Sequence, residues 1–456
     1  MAKSVTKDMT VGSPMKLILG FSVPLLMGFL FQQFYSLVDT VIVGQILGVD
    51  ALAAVGSTGS INFMIIGFCM GVCNGFAIPI AQMFGAKDYA AMRRYVANSV
   101  WLSLGFAAVM TLVVCFLCHN ILVWMRTPDN ILEQAYEYII IIFVGIPVTY
   151  LYNILSGIIR SLGDSKTPVI FLVMSATLNI FLDFFLILVI PMGVAGAAWA
   201  TVIAQGVSGV CCLVYMKRKF EILRIQKGEW RADPHLMKNL CNMGIPMGLQ
   251  YSITAIGSVI LQSAVNTLGS MAVASVTAGS KISMFFCCPF DAMGSTMATY
   301  GGQNVGAKRL DRVHQGLKAC VLLGAVYSIV AFVVLTLFGQ NLALLFVDQP
   351  DPELLKSVGE FLFANALFYF PLALVNIVRF LIQGMGFSKF AILAGVCEMV
   401  ARAGVGFLLV PEFGYIAACY ASPLAWILAD AFLIPAYYHV REQLRRLFGE
   451  IPSKPG

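Results

Sequence analysis

Twelve apolar runs follow one another along this chain, near residues 16–44, 53–83, 93–118, 132–158, 168–190, 193–215, 240–266, 271–299, 314–338, 357–383, 389–410 and 414–439. A helix needs about twenty predominantly apolar residues to cross the hydrocarbon layer. Inside that layer every backbone polar group must be satisfied within the protein, which favours helices over open sheets. The sequence therefore predicts an all-α membrane protein with twelve transmembrane helices. Charged residues are 11% of the 456 positions and mean hydropathy is +0.85, against roughly a quarter charged in soluble chains. A soluble fold is excluded, and the net charge of +6 reads as topology rather than as affinity for nucleic acid.

Basic residues set the orientation, because cytoplasmic loops carry the excess of Lys and Arg. With the N-terminus inside, the segments holding Lys3 to Lys16, Lys87 to Arg94, Arg160 and Lys166, Lys217 to Lys238, Lys308 to Lys318, Arg379 and Lys389, and Arg441 to Lys454 collect 25 of the 29 basic residues. Outer loops keep Arg126 and Lys356, while Lys281 and Arg402 fall inside spans. The expected protein is multi-pass in the plasma membrane, with both termini cytoplasmic and no cleaved leader.

The two halves repeat. Gln82-Met-Phe-Gly85-Ala86-Lys87 returns as Gln303-Asn-Val-Gly306-Ala307-Lys308, and Arg160-Ser-Leu-Gly163-Asp-Ser165-Lys166 returns as Gln383-Gly-Met-Gly386-Phe-Ser388-Lys389. An even number of spans per half gives both the same orientation, so two six-helix lobes related by a pseudo-two-fold axis along the membrane normal are expected, an architecture of transporters. The expected division is an N-lobe at 1–215, a polar cytoplasmic linker at 216–237 and a C-lobe with its tail at 238–456. Pro24, Pro147, Pro246, Pro289 and Pro371 lie within spans, where each removes a backbone hydrogen bond and permits a kink.

Polar groups inside hydrocarbon carry the functional reading. Asn179 and Asp183 are four apart in the fifth span and so share a helix face. An Asp at that depth costs on the order of 3 kcal/mol, and such residues serve ions, protons or charged substrates more often than packing. Asp39 lies some 23 residues into the first span and Thr201 early in the sixth, both at the depth of Asp183 on the outer side. All four are oxygen donors. In the second half, Glu398 and Arg402 are spaced to pair along one helix, with Lys281 at similar depth and Asp291 nearer the cytoplasm. They are expected either to form a self-neutralising structural cluster or to touch substrate.

At these motifs the chain resembles the multidrug and toxic compound extrusion (MATE) family from end to end. The resemblance rests on Phe34-Tyr-Ser-Leu-Val38-Asp39-Thr40, on the Gln-x-x-Gly-Ala-Lys loop, on Leu178-Asn179-x-x-x-Asp183, and on Gly196-Ala-Ala-Trp-Ala-Thr201. The set Asp39, Asn179, Asp183 and Thr201 is similar to the cation site of the DinF-like and MepA-like branch, and Tyr138 corresponds loosely to a tyrosine near it. The resemblance implies export of organic cations or amphiphilic drugs by alternating access, in exchange for protons or sodium ions. NorM-like members carry a glutamate soon after Gly-x-Pro in the seventh span; here Gly244-Ile-Pro246 is followed by Gln250, with no acid. No cofactor, no enzyme activity and a monomeric state are expected. The 12 cysteines sit in or at the ends of apolar runs and read as structural, His119, His235, His314 and His439 suggest no zinc site, and no Walker-type ATP loop is present. The rival readings are a lipid-linked oligosaccharide flippase, which calls for exposed basic residues at the site, and a gated channel.

Overall fold

The computed structural model describes residues 5–345 and 351–450, and Lys3 and Lys454 of the charge count lie outside them. Helix is the only regular structure among the described residues, which contain no strand. Ten helices are long and apolar enough to cross a membrane alone, and two bent pairs bring the spans to twelve. By packing the chain forms two units, residues 1–8 with 27–251 and residues 9–26 with 252–456.

The first unit contains the end of α1 (Pro14–Leu47), α2 (Val49–Ser57), α3 (Gly59–Gly85), α4 (Tyr89–Trp124), α5 (Asp129–Val144), α6 (Ile146–Ser161), α7 (Lys166–Phe184), α8 (Val194–Lys219) and the start of α9 (Pro234–Asn266). The second contains the start of α1, the rest of α9, α10 (Ser270–Gly306), α11 (Leu310–Ala343), α12 (Pro352–Leu367), α13 (Tyr369–Gly384), α14 (Ser388–Gly404), α15 (Val410–Phe413) and α16 (Tyr415–Leu447).

The sequence repeat is written into the backbone. Gly48 and Gly269, Lys87 and Lys308, Gly163 and Gly386, and Gly193 and Gly414 occupy the left-handed region pairwise, at separations of 221, 221, 223 and 221 positions. Lys87 and Lys308 terminate α3 and α10 in the same way. The Lys87 and Asp88 amides donate to Phe84 and Met83, and the Lys308 and Arg309 amides donate to Val305 and Asn304. This is the double hydrogen bond of a Schellman stop, normally built on glycine.

Prolines foretell two of the bends. α5 and α6 meet at 47° around Gly145, two residues before Pro147, and α12 and α13 meet at 49° around Phe368, three before Pro371. Proline lacks the amide that would carry the ladder through, so it opens the following helix instead. The second span breaks at Thr58 between α2 and α3 with no such warning, and α7 and α14 each run into one π-helical turn, Phe185–Val189 and Val405–Leu409, that ends two residues before Pro191 and Pro411.

Inside the first unit, α3 and the start of α9 cross at glycines. A Cβ on Gly71 would stand 2.6 Å from the Met247 carbonyl oxygen, and one on Gly248 2.8 Å from the Phe68 ring. Paired Gly-x-x-x-Gly steps, Gly71/Gly75 against Gly244/Gly248, allow this approach, as small residues do between membrane helices.

The polar segment after α8 is folded, not loose. Residues 221–223 and 227–230 form two short 3-10 turns laid against α4. Arg93 Nε donates to both Glu229 oxygens at 2.9 and 3.0 Å, Arg94 pairs with Asp233 at 2.7 Å, and Trp101 Nε1 donates to the Trp230 carbonyl at 2.9 Å. The Asp233 amide donates to Asn98 Oδ1 at 2.9 Å.

Candidate functional site

α1 carries Tyr35 and Asp39 one turn apart, and α7 carries Asn179 and Asp183 with the same spacing. The two helices turn these faces toward each other in the first unit. The Asp39 and Asp183 carboxyl groups lie beside one another. With the Asn179 amide oriented by its surroundings, Nδ2 donates to Asp183 Oδ2 and to the Tyr35 hydroxyl, each at 2.9 Å. Its oxygen then accepts from the Thr201 amide at 2.9 Å and the Thr201 hydroxyl at 3.1 Å, which ties α8 into the site. Asp183 is fully buried and Asn179 nearly so, while Asp39 and Thr201 are half-buried.

One oxygen on each acid, Asp39 Oδ1 and Asp183 Oδ1, is buried without a hydrogen-bond partner. Leaving such an atom unsatisfied costs about 1–3 kcal/mol or more for a charged group, so pairs of them mark a place meant for something else. An apolar cluster packs beside the acids: Val38, Ile42, Ile180, Ile187, Val194 and Tyr138. Ile187 belongs to the π-helical turn that begins two residues after Asp183, and such turns recur at functional sites.

The four residues singled out in the sequence, Asp39, Asn179, Asp183 and Thr201, therefore meet at one place. Tyr138, half-buried on α5, stands beside both carboxyls. Tyr35 is the member that sequence reasoning misses. Its signal is the four-residue spacing to Asp39, but a tyrosine in an apolar span ordinarily reads as packing. Gln250 is buried on α9, two residues past the crossing with α3.

The second unit corrects the expected cluster. Lys281 and Asp291 are exposed on α10, and neither joins the buried charges. Glu398 pairs with Arg402 one turn along α14, at 3.3 Å, and also with Arg379 of α13. The charge count assigned Arg379 to a cytoplasmic segment, but it lies within α13 and is 5% exposed inside the helix packing. Apolar windows place the ends of spans only loosely, and an arginine near such an end reads as a loop residue. Asp430 of α16 is buried near Arg379 and completes a group of two acids and two bases. Lys281 is not needed to neutralise it.

No group of three or more His, Cys, Asp or Glu side chains suited to a metal ion occurs among the described residues. The oxygen set at Asp39, Asp183, Asn179, Thr201 and Tyr35 is of the hard-donor kind that fits a proton or an alkali cation rather than a transition metal.

Comparison with known proteins bears on the same regions. The MatE family model matches residues 24–185 and 246–408. The chain is 30% identical over 375 residues to the probable multidrug resistance protein YpnP of Bacillus subtilis, covering 81% of this chain and 82% of that protein. It is 23% identical over 393 residues to an FAD transporter of Shewanella oneidensis, covering 84% and 85%. The solved outward-facing structure of a multidrug resistance MATE family transporter of the MOP superfamily is alike in fold, with a TM-score of 0.90 at 22% identity over 98% of this chain and 99% of that one.

Proposed function

Since the chain belongs to the MATE family of membrane transporters, we propose that it is a multidrug efflux antiporter exchanging protons or sodium ions for amphiphilic organic cations at Asp39 and Asp183. The observation that carries this reading is the closeness of the Asp39 and Asp183 carboxyls, each with one buried oxygen that no hydrogen-bond donor meets. Two carboxyls this close in an apolar setting favour holding one proton between them, which belongs to the pair rather than to either residue. When it leaves, two negative charges share an apolar setting, and a cation is the remedy. The coupling ion and the cargo thus compete for the same charge, which is what exchange requires.

Alternating access supplies the rest. The site is reached from one side at a time, and Asn179, Tyr35 and Thr201 hold the carboxyls in register in both states. Sodium is the natural alternative to the proton, because every donor here is an oxygen. The flippase reading needs basic groups free to hold a pyrophosphate. At Glu398 both Arg379 and Arg402 are already engaged, which favours the cation reading. We place both termini and residues 216–237 in the cytoplasm, and the working unit is a single chain in the plasma membrane.

The test is efflux of a fluorescent cationic dye from proteoliposomes energised separately by proton and sodium gradients. Dye movement driven by one gradient and abolished by its collapse is expected. Gradient-independent flow would point to a channel, and transport of a lipid-linked pyrophosphate in place of dye would point to a flippase.

A further inference from the structure

Away from the carboxyls, the first unit holds a cavity of about 620 Å³ between α4, α6 and α8, walled by Leu104, Leu151, Ile154 and Leu213 and roofed by the folded segment at Leu223 to Trp230. Three of its features are polar. Lys217 and Arg224 line its mouth and are exposed, and among the described residues Lys217 has no ion pair while Arg224 has only a 3.8 Å contact with Glu221. The third is Ser103, 6% exposed in the cavity wall, whose hydroxyl has no hydrogen-bond partner. Helical serines ordinarily donate to the carbonyl one turn back.

We propose that this cavity is a binding site for an anionic glycerophospholipid of the bilayer leaflet on the linker's side. The acyl chain fills the apolar volume, the Ser103 hydroxyl donates to an ester carbonyl, and Lys217 and Arg224 hold the phosphate. The layout follows the order of a lipid molecule. Ser103 lies two residues beyond Trp101, which is bonded to Trp230 in the roof, so it sits roughly 3 Å deeper than the roof contact. Charge, ester-seeking donor and apolar volume succeed one another in that direction. A neutral lipid meets the second and third but not the first.

The site also has a route to the transport machinery. Thr201, at the carboxyl pair, and Lys217, at the cavity mouth, are on α8, 16 residues or roughly 24 Å apart along one continuous helix. A lipid bound at Lys217 restrains the same rod that closes the cation site. This proposal does not depend on which ion is exchanged.

The experiment is native mass spectrometry of the delipidated full-length protein titrated with phosphatidylglycerol and with phosphatidylcholine of the same chains. A first phosphatidylglycerol is expected to bind at least about five-fold more tightly than phosphatidylcholine, an advantage lost in Lys217→Gln/Arg224→Gln. Ser103→Ala should weaken both lipids, and Ser103→Phe, which fills the cavity, should remove the first-bound lipid of either kind. Size-exclusion profiles and helical circular dichroism establish that each variant is folded. Equal affinity for the two lipids in the wild type, or a preference untouched by Lys217→Gln/Arg224→Gln, would overturn the proposal. So would displacement of bound phosphatidylglycerol by a cationic dye at its transport concentration, which would make the cavity a drug site.

Discussion

Arg379 and Glu398 lie on different helices of the second unit and meet as a buried ion pair, with Arg402 on the far side of the same carboxylate. One acid thus serves two buried cations. Glu398→Gln removes the shared partner, and breaking a buried pair from one side costs about 3–5 kcal/mol. The variant is expected to show a markedly lower melting temperature and yield. A stable, abundant Glu398→Gln protein that no longer transports would instead assign the carboxylate to substrate handling.

At the carboxyl pair, Asp183→Asn and Asp39→Asn keep shape and remove charge. Each should express normally and lose gradient-driven efflux in proteoliposomes. Because the two act as a unit, the double variant should be little worse than either alone. Coupled efflux at the wild-type rate in the folded double variant would leave the antiport mechanism without a basis.

Tyr35 separates positioning from charge. Tyr35→Phe removes the hydroxyl that meets the Asn179 amide and leaves both acids in place. A lost neutral hydrogen bond is worth about 1 kcal/mol. Efflux should fall several-fold while its dependence on the driving ion stays. Loss of that dependence would give Tyr35 a part in the ion exchange itself.

The glycine crossing makes a steric prediction. Gly71→Val sets a side chain where a Cβ already stands 2.6 Å from the Met247 oxygen, and overpacking costs about 1–3 kcal/mol. Gly105→Ala, with no atom within 4 Å of the added Cβ, is the matched control and should leave the melting temperature unchanged or slightly raised. Equal melting temperatures for both variants would mean that the two helices part easily.

The linker responds to acid. The hydrogen bonds from Arg93 hold Glu229 below its ordinary value of 4.5. A depressed carboxylate contributes its stability in full above that value and loses it as the pH falls through the lower folded one. Trp101 and Trp230 pack edge to face at 6.4 Å, so tryptophan fluorescence should report release of the segment below about pH 4.5. Glu229→Gln should abolish that step and expose the segment to protease at neutral pH. A step of unchanged midpoint in the variant would belong to another group.

Much of this was legible from residues alone. Spans follow from apolar length, and acids in hydrocarbon announce themselves by their cost. Asp39, Asn179, Asp183 and Thr201 share a depth, which counting along helices reveals. What counting cannot give is rotation about each helix axis. Lys281, at similar depth by counting, is exposed, whereas Arg379 and Asp430 are buried in the charged group with Glu398 and Arg402. The break at Thr58 has no proline to mark it, and Pro191 and Pro411, two residues past the π-helical turns, mark an interruption without saying which kind of turn precedes it. Gln303 and Asn304, read as a loop signature, are buried and bind the Met9 backbone. That role is visible only once the N-terminal segment is in place.

The fastened segment between α8 and α9 has a consequence for dividing the protein. α9 packs with the first unit as far as Tyr251, through Asn239 on Tyr95 and the glycines facing α3. A polypeptide beginning at residue 226 would therefore carry a strip of about 26 residues that packs with the other fragment, while residues 9–26 of that fragment pack the opposite way. Fragments 1–225 and 226–456, made together, own a built-in handle for reassembly. Cutting after Tyr251 keeps only the exchange at residues 9–26, so the cut at 225, with both exchanges, is the one from which a working two-chain protein should be recovered more readily.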